Sequence, residues 1–335
     1  MLRPTIEDVA RIAGVSIATV SRCLHRPEVV SPDTRDRVMA AVAQTGYTLN
    51  TAAQGLRQRR SNTVLVVVPD IGNTFFSEVL SGIEAVARAA GLTMLIGDTG
   101  FDRDREEALV RYLVNGRADG ALLLVEPLDD WFGLRAANAR GVAPVVMISE
   151  LGPQPGALSV SIDNEAAAHA AVRHLIAAGH HRIAHLSGPD STGLTRLRHA
   201  GYARALAEAG LPVEAALVLP GDFGLESGRA AFARFAALPD RPTAIFCAND
   251  ETAMGFIAAA HQAGVRVPQD VSVVGFDDIH FAQAFLPALT TIRQPRAEMG
   301  AVAMRLLLDI LSGEAPQSVR LPWEMVVRES TARTR

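Results

Sequence analysis

The stretch Thr5–Leu24, TIEDVARIAGVSIATVSRCL, determines how the N-terminal part of this chain folds. Thr5 followed by Asp8 is a capping-box pattern, which predicts the start of a helix. Apolar residues at helical spacing give that helix one buried face, namely Ile6, Val9, Ala10 and Ala13. Gly14 ends the helix, because glycine enters a left-handed turn without strain, and Ser16 predicts the cap of a second short helix. Two short helices joined by a glycine-containing turn predict a helix-turn-helix.

The predicted outward face of the second helix is small, polar and cationic, with Ile17, Ala18, Ser21 and Arg22. Such a face suits a helix that enters the major groove of DNA, although an ordinary pair of surface helices is the alternative. The distribution of charge favours DNA binding. Residues 1–60 hold nine arginines against five acidic residues, whereas the whole chain has a formal net charge of −4. A basic N-terminal part on an acidic body is typical of proteins that bind nucleic acid through that part.

A third helix and an arginine-rich segment follow. Ser31 and Pro32 predict the N-cap and first residue of a helix that runs to about Thr45. Residues 50–60, NTAAQGLRQRR, are competent to form a helix but have almost no apolar stripe. This segment is either a plain linker or a hinge helix that folds on DNA, with Leu56 as an apolar wedge in the minor groove.

The composition excludes several classes of protein. All 32 basic residues are arginine, and the absence of lysine excludes Walker-A phosphate binding, Schiff-base chemistry and kinase-type catalysis. The longest apolar runs are too short to span a bilayer, and the N-terminus has no apolar signal-peptide core. Cys23 and Cys247 fall inside predicted apolar elements, so we expect no disulfide and a cytoplasmic location without membrane contact.

From residue 62 onward, predicted strands and helices alternate. The strands fall at 64–69, 92–97, 120–125, 145–149, 182–187, 217–220, 244–248 and 271–276. The helices fall at 75–90, 104–115, 129–140, 165–178, 199–209, 225–237 and 251–263. Repeated strand–helix units predict parallel sheets with right-handed crossovers. There are too many strands for one comfortable sheet, so we predict two α/β lobes with a ligand cleft at the carboxyl ends of their strands.

Polar and aromatic side chains cluster at those predicted strand ends. They are Asn73, Phe75, Phe76, Arg198, Phe223, Asn249 and Asp277, with Gln294 on a crossover. The polar groups suit sugar hydroxyls and the aromatic rings suit a sugar face or a base. Two adjacent phenylalanines cannot both face one core, so we expect one of them to face the cleft. Taken alone, Asp277 is as consistent with a turn aspartate as with a ligand contact. Asn249 is likewise as consistent with a helix N-cap as with a ligand contact. We also expect Asp277 and Arg198 to face each other across the cleft mouth and to share a vicinal diol.

Metal binding and catalysis are not indicated. His180, His181 and His185 lie in the segment GHHRIAHL, and strand residues four apart are separated by about 13 Å, too far to ligate one ion. The cysteines and histidines do not have the spacing of a zinc site, and no nucleophile–base–orienter set is visible. The sequence therefore predicts no metal site, no cofactor and no enzymatic activity.

Ordered segments along the whole chain resemble the LacI/GalR repressor family. They are Thr5–Leu24, VSPDTRDRV, TAAQGL, FFSEVLSGIE, GHHRIAHLSGP, PTAIFCANDETAMG and VPQDVSVVGFDD. The resemblance implies a helix-turn-helix domain at 1–48, a hinge helix at 49–61 and a core at 62–335 that is similar to periplasmic sugar-binding proteins. It further implies three crossings between lobes, with one lobe of about 62–161 and 292–322 and another of about 162–291 and 323–335.

The resemblance also implies roles for individual residues. Base contacts fall on Ile17, Ala18 and Arg22, and Arg22 would donate to a guanine. Phosphate contacts fall on Thr5, Ser16, Thr19, Ser21, Ser31 and Tyr47, and Leu56 matches the intercalating leucine of the family. A second cleft arginine with an acidic partner, found in ribose binders, has no clear match here, and Glu126 is the nearest acidic candidate.

We therefore predict a cytoplasmic, homodimeric, ligand-responsive repressor that binds double-stranded, near-palindromic operator DNA. The predicted effector is a nucleoside or a ribose-type sugar bound in the cleft. The alternative is a sugar-binding or enzymatic α/β protein whose N-terminal helices serve only for docking. The missing signal peptide disfavours a transport receptor, and the missing catalytic set disfavours an enzyme.

Overall fold

The computed structural model describes residues 4–47, 61–125, 143–149 and 158–334. The chain divides into two compact units, Met1–Arg59 and Arg60–Arg335, which we call the head and the core. The described head consists of the helices α1 (Ile6–Ala13), α2 (Ile17–His25) and α3 (Pro32–Thr45). This arrangement confirms the predicted helix-turn-helix. The predicted hinge, including Leu56, lies outside the described residues, and so does Glu126.

Side-chain caps fix the ends of the first two helices. The Thr5 amide donates to Asp8 Oδ2 at 3.0 Å, and the Asp8 amide donates to Thr5 Oγ1 at 3.3 Å. Gly14 ends α1 in the left-handed conformation with φ 64°. Ser16 accepts from the Thr19 amide at 3.1 Å and begins α2. These local bonds set the angle of the turn between the two helices.

The start of α3 differs in one detail from the expectation. Ser31 occupies the N-cap position and Pro32 the first helical position, but Ser31 makes no capping bond to the backbone. Its hydroxyl instead donates to Thr34 Oγ1 at 3.0 Å. Val38 and Ala41 of α3 are buried against α1 and α2, with Val42 partly buried beside them.

The first lobe of the core is built on a six-stranded parallel sheet of order β11-β5-β4-β3-β1-β2. Its strands are β1 (Thr63–Val68), β2 (Thr93–Asp98), β3 (Gly120–Leu123), β4 (Val145–Ile148), β5 (Leu158–Ser161) and β11 (Val319–Arg320). The described helices on it are α4 (Phe75–Ala89), α5 (Arg103–Val114) and α10 (Arg296–Leu311). Along β1, Val64, Val66 and Val68 pack with α4 and α10. Leu65 and Val67 pack with α5, so this strand is buried on both faces.

The second lobe is built on a four-stranded parallel sheet of order β7-β6-β8-β9. Its strands are β6 (Ile183–Leu186), β7 (Val218–Leu219), β8 (Ala244–Cys247) and β9 (Ser272–Val274). Its helices are α6 (Asn164–Ala177), α7 (Gly193–Glu208), α8 (Leu225–Ala236) and α9 (Asp250–Gln262).

The chain passes between the lobes at three places. It leaves the first sheet after β5, returns to the first lobe between β10 (Thr291–Arg293) and α10, and leaves again between β11 and β12 (Glu324–Val326). β10 and β12 pair antiparallel. After β12 the chain continues along the second lobe, where the Val273 amide donates to the Ser330 carbonyl at 2.8 Å.

Several elements differ from the sequence expectation. The prediction that α7 begins at residue 199 is wrong, because the helix begins at Gly193 with Thr192 as its cap. Arg198 therefore lies inside a helix and not in a loop. The helix α10 and the short strands β5, β10, β11 and β12 were not expected, and the predicted helix at 129–140 lies outside the described residues.

Candidate functional site

The head presents one face of α2 to solvent. Ile17, Ala18 and Arg22 are exposed, while Val20 and Cys23 on the opposite face are buried. The predicted phosphate-contacting residues Thr5, Ser16 and Ser31 are exposed, and Thr19, Ser21 and Tyr47 are partly buried. An exposed face of small and cationic side chains over a buried apolar face is what a helix needs in order to enter the major groove.

In the core, a cavity of about 850 Å³ lies between the two lobes. The predicted effector residues that line it are Asn73, Phe75, Phe76, Arg198, Phe223, Asn249 and Asp277. Gln294 is not among the described lining residues. It lies behind Asp277, where its Nε2 donates to Asp277 Oδ1 at 2.7 Å, and it is itself buried.

Arg198 and Asp277 form a buried ion pair within the second lobe. Arg198 Nη2 lies 3.7 Å from Asp277 Oδ1, and both side chains are almost fully buried. The expectation that they face each other across the cleft mouth is therefore wrong, because α7 and the end of β9 belong to the same lobe. A ligand in the cavity meets an ion pair that is already assembled.

The Arg198 guanidinium is held by groups of the second lobe. Its Nε donates to Asn164 Oδ1 at 3.1 Å, and its Nη1 donates to the Ala248 carbonyl. Its central carbon lies 3.8 Å from the centroid of the Phe276 ring, a cation–π geometry. These contacts fix the orientation of the guanidinium beside Asp277.

Burial raises the pKa of Asp277 to about 6, while Arg198 and the hydrogen bond from Gln294 act in the opposite direction. Asp277 also has φ 114°, a conformation that is uncommon for residues other than glycine. Such strain persists where surrounding contacts hold it, often at ligand sites. Asp277 is therefore ionised at neutral pH, although its buried surroundings disfavour the charged form.

Aromatic rings form walls of the cavity in both lobes. Phe75 and Phe76 are in edge-to-face contact with ring centroids 5.2 Å apart. Both line the cavity, where at least one ring was expected to face the cleft. Asn73 Oδ1 accepts from the Phe75 amide at 2.9 Å and fixes the start of α4. On the second lobe, the Phe223 ring packs over Gly188, where an added Cβ would lie 2.2 Å from Phe223 Cζ.

Asn249 is the N-cap of α9, as one of its two interpretations predicted. Its Oδ1 accepts from the Thr252 amide at 3.0 Å. Its Nδ2 donates to the Phe223 carbonyl at 2.7 Å. Asn249 therefore links the end of β8 to the loop that carries the Phe223 ring, in addition to lining the cavity.

The sequence interpretation missed several lining residues of the first lobe and of the loop before α7. They include Thr99, Phe101, Arg103, Glu106, Ser149 and Thr192. Ser149 is distinctive, because it is 6% exposed and its Oγ is buried with no hydrogen-bond partner among the described residues. It also has φ 69°. Its position directly after β4 is the same signal that identified the other strand-end residues.

The histidines of GHHRIAHL serve the packing of the second lobe. His185 is fully buried in β6, where its Nδ1 lies 3.1 Å from the Phe246 carbonyl and burial lowers its pKa to about 3. His180 Nδ1 lies 2.8 Å from Thr243 Oγ1. Within the described ranges, no group of three or more His, Cys, Asp or Glu side chains is placed to hold a metal ion. Among the same residues, no helix is both long enough and apolar enough to cross a membrane.

A helix-turn-helix head followed by a two-lobed α/β core with a polar and aromatic cavity defines a DNA-binding regulator that responds to a small ligand. Comparison with known families agrees with this. Residues 5–50 match the model of bacterial regulatory proteins of the lacI family, and residues 172–331 match the periplasmic binding protein-like domain. The chain belongs to the LacI family of transcriptional regulators.

Individual relatives extend the match over nearly the whole chain. The HTH-type transcriptional repressor CytR of Escherichia coli K12 is 40% identical over 98% of this chain and 96% of its own length. The solved Lac repressor dimer bound to operator and the anti-inducer ONPF is 30% identical. It aligns with a TM-score of 0.86 over 99% of this chain and all of that chain. A LacI-family regulator from Enterococcus faecium with bound ribose aligns over 82% of this chain and all of its own, at 27% identity and a TM-score of 0.74. This protein is therefore a ligand-responsive transcriptional repressor and not an enzyme.

Proposed function

We propose that this repressor responds to a ribonucleoside bound in the interlobe cavity, with a free pentose as the second candidate. The observation that carries the proposal is the buried Arg198–Asp277 pair, which lies beside phenylalanine rings from both lobes. A charged donor and a charged acceptor in one place match two neighbouring hydroxyls of a ribose ring.

The polar side chains of the cavity support a ribose as one part of the proposed ligand. A vicinal diol donates to the Asp277 carboxylate and accepts from Arg198, so that both charged groups gain a partner when the lobes enclose the ligand. A deoxyribose lacks one of these hydroxyls and loses one charge-assisted hydrogen bond in a buried site, which discriminates more strongly than a lost apolar contact does. The ribose-bound Enterococcus faecium relative supports a pentose in a core of this fold.

The aromatic side chains of the cavity support a nucleobase as the other part of the proposed ligand. Phe75, Phe76 and Phe223 offer flat apolar walls, on which a nucleobase stacks with more of its surface than a lone sugar does. The volume of about 850 Å³ lies in the range of sites for ligands larger than a monosaccharide. The segments PDIGNTFFSE and LIGDT resemble the cytidine repressor within the family, which favours the same class of ligand.

For the head, we propose that Ile17, Ala18 and Arg22 contact base edges and that Leu56 enters the minor groove. The hydroxyls of Thr5, Ser16, Thr19, Ser21, Ser31 and Tyr47 would contact phosphates. The protein acts as a cytoplasmic homodimer, each head on one half-site of the operator. Effector binding in the core changes the affinity for DNA through thermodynamic linkage between the two sites.

Calorimetric titration of ribonucleosides and their deoxy counterparts tests the identity of the effector. Cytidine and 2′-deoxycytidine, and adenosine and 2′-deoxyadenosine, are titrated into the full-length protein, with free ribose and Asp277→Asn as controls. We expect a ribonucleoside to bind much more tightly than its deoxy partner and Asp277→Asn to abolish the difference. Equal affinity for both members of each pair would refute the diol assignment. A hexose or a free base that bound more tightly than any nucleoside would replace the proposed ligand.

A further inference from the structure

A carboxylate of the second lobe holds the first turn of a helix of the first lobe. Glu251 Oε1 accepts from the Thr74 amide at 2.9 Å and from Thr74 Oγ1 at 3.0 Å. Glu251 lies in the first turn of α9, and Thr74 is the N-cap of α4. Both side chains are partly buried. The two donors converge on one oxygen, so the contact joins the lobes through two charge-assisted hydrogen bonds.

The contact takes the place of an ordinary helix cap. Thr74 makes no side-chain capping bond within α4, although threonine is among the residues that commonly do so. Its hydroxyl and its amide are directed to Glu251 instead. A carboxylate at the N-terminus of a helix is favoured by the free amides and by the helix dipole. Glu251 therefore satisfies the start of α4 only when the two lobes are together.

This contact lies next to the cavity on both sides. Thr74 stands between Asn73 and Phe75, which line the cavity, and Glu251 follows two residues after Asn249, which also lines it. A shift of Thr74 away from Glu251 moves the first turn of α4, and with it the phenylalanine wall. The neighbouring charge of Glu251 also acts on the buried carboxylate, since it raises the pKa of Asp277.

We propose that Glu251 is a positioning residue for effector binding: it closes the cavity by holding Thr74, and so sets the phenylalanine wall of the first lobe against the second lobe. The proposal rests on the cavity being the effector site, but not on the identity of the effector. Because an open form lacks both hydrogen bonds, their loss shifts the equilibrium toward opening and lowers the apparent affinity for any ligand that requires closure.

Two variants distinguish the contribution of the Glu251 carboxylate from that of the Thr74 hydroxyl. Glu251→Ala removes the acceptor, and Thr74→Val removes the hydroxyl donor while keeping the amide and the branched shape. Glu226→Ala is the matched control, since Glu226 also lies in the first turn of a second-lobe helix but is exposed, and it pairs with Arg229 of its own helix. All measurements use the full-length protein.

Hydrogen exchange of the segment 71–80 reports the contact without any ligand. We expect the Thr74 amide to exchange faster in Glu251→Ala than in the wild type and in Glu226→Ala, with similar melting temperatures for the two variants. Unchanged exchange at Thr74 in Glu251→Ala would overturn the proposal, because the contact would then contribute nothing to closure.

Calorimetry with cytidine, adenosine and ribose tests the effect on binding. We expect Glu251→Ala to weaken the affinity for the ligand that binds by roughly tenfold, and Thr74→Val to weaken it less. Thr74→Val should add little in the Glu251→Ala background. Faster exchange with unchanged affinity would refute the positioning role. If none of the three binds the wild type, the effector proposal fails, and the exchange experiment alone decides the role of Glu251 in closure.

Discussion

Asp277 and Asp278 are consecutive residues with φ values of 114° and 53°, and their carboxylates serve different parts of the core. Asp277 lines the cavity beside Arg198. Asp278 accepts from Arg293 Nε at 2.7 Å and lies 2.7 Å from Arg328 Nη2. The Asp278 carbonyl accepts from Arg296 Nη2 at 2.7 Å, at the start of α10. One sharp turn therefore connects the proposed effector contact to a crossover between the lobes.

Effector affinity is expected to fall as the pH is lowered from 7 to 5. Asp277 has a pKa of about 6, and its ionised form is the stronger acceptor for the hydroxyl that the diol donates. If the protonated form does not bind, the dissociation constant rises by roughly tenfold between pH 7 and pH 5. Calorimetry at pH 5, 6 and 7 measures this, and a pH-independent affinity would contradict it.

The same pKa predicts the sign of a change in stability. The folded-state pKa of Asp277 lies above its ordinary value of 3.8, so the folded state holds this proton more tightly than the unfolded state does. The contribution of Asp277 to the free energy of unfolding is therefore fully present below pH 3.8 and is lost as the pH rises toward 6. Denaturant unfolding between pH 4 and pH 7, compared with Asp277→Asn, isolates this contribution, which should be missing in the variant.

Asp278→Asn is expected to destabilise the core. The substitution removes a partly buried charge that holds two arginines, Arg293 and Arg328, and leaves both with weaker acceptors. A loss of about 1–3 kcal/mol in the free energy of unfolding is typical for a hydrogen-bonded charged group. Asp240→Asn is the control, because Asp240 is exposed. Equal unfolding midpoints for the two variants would contradict the prediction.

Ser149→Gly is expected to stabilise the protein and to weaken effector binding. Glycine relieves the left-handed backbone at φ 69° and removes a hydroxyl that has no partner among the described residues. The gain should be about 1 kcal/mol. If the hydroxyl contacts the effector, calorimetry shows lower affinity in spite of the higher stability. Ser149→Ala, which keeps the strain, separates the loss of the hydroxyl from the relief of the backbone.

Arg22→Ala is expected to weaken operator binding and to relax the preference for one base pair in each half-site. A good bidentate contact to guanine contributes about 1–3 kcal/mol of discrimination. Binding to operator and to random DNA is compared at several salt concentrations. Arg11→Ala removes one positive charge from the same unit and serves as control. Equal losses on both DNAs would make Arg22 a phosphate contact only.

The sequence predicted the parts of the fold that local patterns encode. The Thr5 and Ser16 caps and the β-branched run of β1 each depend on neighbouring residues, and the structure has them where the pattern indicated. Seven of the predicted effector side chains line one cavity, six from segments that follow strand ends and Arg198 from within α7. The relation of Arg198 to Asp277 was predicted wrongly, because the two side chains form an ion pair within the second lobe, and no local pattern encodes that contact. The contact between Thr74 and Glu251 joins residues distant in sequence, and no local pattern encodes it.

Both lobes are completed by the last part of the chain. β11 adds the sixth strand of the first sheet beside β5, and Ser330 binds β9 in the second lobe. A ribosome releases the N-terminus first, and units of a chain generally fold in the order in which they emerge. The helix-turn-helix is therefore free to form on the nascent chain before the first sheet gains β11 and before Ser330 reaches β9. For that interval the head precedes the completed sheets of the core that follows it along the chain.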